Sequence, residues 1–272
     1  MDILVKLYEF LFYRAEVPKL FGTFHIVSFI LIAVATALAV KFLSNADDKT
    51  IRRFMLLVWI SLVIGEIYRE VAFSLRLIDG ELKWEYAWYL FPFQMCSSPL
   101  YALPFVIFLP DGRLRDGFCS YLSMFSLFGG LSVMIYAGDV FTGIVGSNVQ
   151  SMFHHGMQVL IGVVLAIHNR KKLSKRYFLD GILTFAGFFC LAMLLNVAGY
   201  HLLRANSRLD TFNMFYISPY FDCSLPILST IQKATSYWVI LPLYFFVFIF
   251  IAAVLFSAQK FLIDKYCKSE ER

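Results

Sequence analysis

The chain has 272 residues, 60% of them hydrophobic and 18% aromatic, and its mean hydropathy of +0.70 excludes an ordinary soluble domain. Charged residues make up only 16% and fall in short clusters between long apolar runs, so the net charge of +5 marks membrane topology and no nucleic-acid partner is expected. The cysteines, Cys96, Cys119, Cys190, Cys223 and Cys267, stand singly, without the CxxC spacing of a metal or redox pair.

In chain order, residues 1–19 carry charges at Asp2, Lys6, Glu9, Arg14, Glu16 and Lys19 around a short apolar run with no small-residue cleavage site. They are expected to form an interfacial helix, not a signal peptide. Seven apolar windows follow, at 20–43, 52–73, 87–109, 118–137, 149–168, 178–203 and 235–262. They predict an all-α membrane protein, a single domain over 1–272 built as a polytopic bundle of about seven transmembrane helices. The third window holds Pro92, Pro99 and Pro104. Pro99 has no N–H for the carbonyl of Met95, so a kink or unwound turn is expected beside Cys96. In the fourth window Gly129 and Gly130 would let a neighbouring helix approach closely. The connection 204–233 is too long for a turn and rich in aromatics, and is expected to cap the outer mouth of the bundle.

Lysine and arginine set the orientation. With the N-terminus outside and the C-terminus cytoplasmic, the inner side receives Lys41, Lys49, Arg52, Arg53, Arg113, Arg115, the run from Arg170 to Arg176, and Lys260, Lys265, Lys268 and Arg272. The polar residues least suited to lipid then share the outer third of the membrane. They are His25, Glu66, Arg69, Gln94, Cys96, His154, His155, Gln158, Asn196, Tyr200, His201, Tyr237 and Trp238, from six of the seven windows. Buried polar groups at that depth are costly unless they face the bundle interior.

A cysteine acts as a nucleophile when an imidazole, a cation or a helix N-terminus favours its thiolate. Cys96 has candidate bases in His155 and His25, and the half-helix after the proline break offers a dipole. The alternative makes Cys96 a small apolar filler and has the histidines bond serines or carbonyls. His154 and His155 point about 100° apart, and Gln158 lies within reach of either. Glu66 and Arg69 share a helix face; they pair with each other, or Glu66 orients a histidine while Arg69 meets a lipid phosphate. The histidines lack metal-ligand spacing, so neither a metal nor a cofactor is expected.

Phe24-His25, Glu66-Ile67-Tyr68, Pro92-Phe93-Gln94-Met95-Cys96-Ser97, His155-Gly156 and Leu195-Asn196 occur in an order that resembles the YwaF-like family of bacterial integral membrane proteins and its eukaryotic relatives, the transmembrane protein 164 group. The resemblance implies a bundle of six or seven helices and, for the eukaryotic relatives, a lipid acyltransferase working through an acylated cysteine with a histidine partner. On matching positions it implies Cys96 as acyl acceptor and His155 or His25 as base. This chain has Gln94 where a histidine is expected in bacterial members, which moves the base to another helix. The function expected is therefore a cysteine-dependent acyltransferase or hydrolase in the cell membrane, taking phospholipid acyl chains from the outer leaflet. Gln94, Ser97 or Asn196 would stabilise the oxyanion, and Glu66, Arg69, Gln158 and Tyr200 would line the substrate site. The alternative is a lipid or small-solute binder or transporter using the same cavity.

Overall fold

A computed structural model describes residues 3–204 and 212–266. The first helix, α1 (Ile3–Leu11), buries none of its side chains, and the chain then pairs Arg14 with Ile144 as an isolated bridge. Helix α2 (Thr23–Leu43) is followed by α3 (Asp48–Ser74), whose first turn is capped by Asp47: its carboxylate accepts the Thr50 N–H at 3.0 Å. After α3 comes a hairpin absent from the sequence reading, β1 (Leu75–Ile78) paired antiparallel with β2 (Glu81–Trp84). Asp79 and Gly80 both take positive φ, +54° and +81°, as a two-residue hairpin turn requires.

The third window is only half a helix. Short 3-10 turns at Trp88–Leu90 and Met95–Ser97 precede α4 (Pro99–Phe108), which at about 15 Å reaches halfway through a ~30 Å hydrocarbon core. Helix α5 (Arg113–Tyr121) continues through a π-helical turn, Leu122–Ser126, into α6 (Leu127–Ile135). Gln259, from the last helix, donates to the Ser123 carbonyl in that turn at 2.6 Å. Then come α7 (Val145–His168), α8 (Lys175–Arg204), the capping helix α9 (Pro226–Ala234) and α10 (Tyr237–Tyr266). Of the expected cap, residues 205–211 lie outside the described residues, as do Cys267, Lys268 and Arg272.

The chain is an all-α membrane protein. Five helices among the described residues are long and apolar enough to cross a membrane: Thr23–Leu43, Arg113–Ile135, Val145–His168, Lys175–Arg204 and Tyr237–Lys265. Helix α3 has the length but carries Glu66, Arg69 and Glu70 near one end and Asp48, Arg52 and Arg53 near the other. The centre belongs to α7, which packs against α2, α3 and α6 and buries Ser147, Gln150, Ser151, His154, His155 and Gln158. Gly130 makes the closest approach possible: a Cβ there would stand 2.6 Å from the His155 carbonyl oxygen.

Candidate functional site

The site is assembled around the proline-punctuated stretch. Gln94 is extended, Met95–Ser97 make one 3-10 turn, and Pro99 occupies the first position of α4, where its missing N–H costs nothing. The unwound turn expected beside Cys96 is therefore present, and Cys96 stands at the amino end of the apolar helical stretch Met95–Phe108. The turn is held from three directions. Ser98 donates to the Met95 carbonyl and accepts from the Tyr121 hydroxyl, both at 2.7 Å. The Cys96 carbonyl accepts from His154 Nε2 at 2.8 Å and from the Gln158 amide.

Cys96 is half-buried and opens on a cavity of about 600 Å³. Glu66 and Arg69 of α3, Gln94 and Ser97 beside the cysteine, Gln150, Ser151, His154 and His155 of α7, and Asn213 and Tyr216 of the cap line the same space. A volume of this size suits a small organic group or part of a lipid. Arg69 pairs with Glu66 and donates to the Leu90 carbonyl at 2.9 Å, so the ion pair weighed from the sequence is present. It leaves Arg69 Nε and Glu66 Oε2 buried without a protein partner.

Hydrogen bonding assigns the histidine tautomers. His154 donates from Nε2 to Cys96, so its Nδ1 is the lone-pair nitrogen; it is buried and unpartnered. His155 donates from Nδ1 to the Ser151 carbonyl at 2.8 Å, which leaves Nε2 as its acceptor. Both imidazoles line the cavity although they are adjacent on α7, since the rings splay with centroids 5.6 Å apart.

Other expected site residues lie outside the cavity or, like Gln94, have their polar atoms engaged. His25 accepts the Phe21 N–H at Nδ1 and donates from Nε2 to the Met134 carbonyl; both nitrogens are spent on backbone and it does not line the cavity. Gln94 donates to the Asn213 carbonyl at 2.9 Å and accepts the Phe215 N–H at 2.8 Å, so its amide is engaged by the cap. Asn196, fully buried, does the same to Met214, accepting its N–H at 2.6 Å and donating to its carbonyl at 2.9 Å. Asn213 closes the cap on itself through the Asp222 carbonyl and the Ser218 N–H. These latches hold Phe215 and Tyr216 at φ near +58°, a left-handed conformation that side chains resist. Tyr200 stacks on Tyr220 of the cap, centroids 3.7 Å apart. Gln158 grips the Cys96 carbonyl from behind the cavity, and its Oε1 has no partner.

The sequence reading missed Gln150, Ser151, Asn213 and Tyr216. Ser151 was legible, one helical turn before His155; the cap residues were not, because their place depends on contacts with Gln94 and Asn196 far away in sequence. Of the other described cysteines, Cys119 is buried in the core, Cys190 is exposed, and Cys223 lies buried under the cap, where desolvation pushes its thiol pKa up.

A family model described as the TMEM164 family matches residues 20–260, which covers every element from α2 into α10. The chain belongs to the TMEM164 family. No curated protein and no solved structure matches it. Within this family member the matched region includes the whole cavity, from Glu66 to Ser224.

Proposed function

We propose that this TMEM164-family protein is a cysteine-dependent lipid acyltransferase or hydrolase of the cell membrane, with the cavity as its active site and a phospholipid of the outer leaflet as acyl donor. One observation carries the reading: Cys96 shares a polar cavity with a histidine whose Nε2 is an available acceptor and whose other nitrogen is fixed by a carbonyl. A thiol nucleophile needs such a base nearby, and this supports the reading.

His155 Nε2 takes the Cys96 thiol proton, and the thiolate sulfur attacks the acyl ester carbonyl. The tetrahedral oxyanion collapses with cleavage of the ester C–O bond, and the lysolipid alkoxide leaves with the proton from His155. An acceptor hydroxyl, or water, then attacks the thioester, giving its proton to His155 and restoring the thiol. His154 is a positioning residue, since its bond to the Cys96 carbonyl fixes the turn that aims the sulfur. Ser97 and Gln150 supply the oxyanion donors, because Gln94 and Asn196 are engaged by the cap. Arg69 Nε, free of protein partners, meets the donor phosphate.

The test is turnover of vesicles carrying a labelled acyl chain, with lysolipid and acyl product followed together. Wild type releases both. Cys96→Ala abolishes release, and His155→Ala lowers it by about 10²–10⁴-fold. Binding of the lipid without turnover in any of the three would instead favour a lipid binder using the same cavity.

A further inference from the structure

An apolar groove lies at the opposite end of the bundle from the Cys96 cavity. Helix α8 places Asp180, Leu183, Gly187 and Leu191 on one face, and against it the stacked rings of Phe105 and Phe118, centroids 4.2 Å apart, form the other wall of an apolar groove of about 700 Å³. Gly187 has no neighbour within 4 Å of where a Cβ would stand, so the groove is open there. From Asp180 to Leu191 it runs roughly 16 Å, half of a ~30 Å core and the reach of one acyl chain within one leaflet.

The groove ends in charge. Arg113 and Asp180 belong both to it and to a polar recess of about 210 Å³ that also takes in Asp116, Lys172 and Arg176. Its two acids are already matched, Asp180 to Arg113 and Asp116 to Lys172, each at 2.7 Å. Arg176 is exposed with no acid paired to it among the described residues, and the run 170–176 holds five bases and no acid. A basic cluster at the mouth of an apolar, acyl-length groove is complementary to an anionic headgroup carrying a hydrocarbon tail.

We infer that this groove binds one anionic phospholipid, its acyl chain along α8 over Gly187 and its phosphate against Arg176 and the surrounding bases. The site is separate from the proposed reaction and stands whether or not Cys96 is a nucleophile. The test is native mass spectrometry of the full chain in mild detergent, offered phosphatidylglycerol or phosphatidylcholine with the same acyl chains. Wild type should retain phosphatidylglycerol in preference, and excess inorganic phosphate should leave that adduct in place. Gly187→Phe, which fills the groove, should remove the adduct, whereas Gly187→Ala should keep it. Arg176→Gln should lower the preference for the anionic lipid roughly fivefold. Because Arg176 is exposed, this second variant keeps the test open if Gly187→Phe disturbs the fold. Equal retention of the two lipids by wild type would overturn the inference. So would an adduct untouched by both Gly187→Phe and Arg176→Gln, a result that would place the lipid in the Cys96 cavity or leave the groove to a partner helix.

Discussion

The two ends of the bundle are built from the same residue types and use them differently. At the end opposite the cavity, Arg115 is 3% exposed yet fully engaged: it donates to Asp48 at 2.6 Å, to Asp111, and to the Val106 carbonyl at 2.8 Å. Beside it Arg52 bonds Asp48 and the carbonyls of Ile107 and Leu109, each at 2.6 Å, and so closes the carboxyl end of α4. At the cavity end Glu66 Oε2, Arg69 Nε and His154 Nδ1 are equally buried but unpaired. Charges paired on all sides hold helices together. Polar atoms left open around a cavity keep a standing cost in stability that a ligand can relieve, which is the pattern of a functional site.

Substitutions should divide along that line. The largest loss of stability belongs to Arg115→Ala, which strands Asp48 and the end of α4; with its acids partly solvated, about 3 kcal/mol is expected by thermal unfolding in detergent. Asn196→Leu strands the N–H and carbonyl of Met214, and should cost about 2 kcal/mol while raising hydrogen exchange across 212–218. His155→Leu removes an imidazole with an open nitrogen, so stability should change by less than about 1 kcal/mol although lipid turnover is lost; a larger loss would make His155 structural. The smallest effect is that of Asp47→Ala. The Thr50 hydrogen bonds hold the Asp47 carboxyl below its usual 3.8, so its contribution is complete above that value and is lost as pH falls through the lowered one. The gap in melting temperature between wild type and Asp47→Ala should therefore close as pH drops below about 4.

Much of this division was legible in the sequence. Apolar length located every long helix, and the isolated Glu66, Cys96 and His155 in otherwise greasy windows pointed to one level of the bundle because buried polarity has few other uses there. The unwound turn expected beside Cys96 is present as the 3-10 turn Met95–Ser97, with Pro99 as the opening residue of α4. Two features escaped. Asp79-Gly80 is a strong hairpin signal, but a search by apolar length passes over an eight-residue hairpin. The roles of Gln94 and Asn196 depend on a cap that only the folded chain brings to them, and local sequence carries no trace of that pairing.

The proposed reaction requires that Cys96 carry an acyl group as its intermediate. Intact-protein mass spectrometry of the purified chain after incubation with phospholipid vesicles tests it directly, comparing wild type, Cys96→Ala and His155→Ala. An added acyl mass on wild type, removed by hydroxylamine, absent in Cys96→Ala and strongly reduced in His155→Ala, is the predicted result. An adduct that persists in Cys96→Ala, or unmodified protein together with unchanged lipid in all three samples, would contradict it.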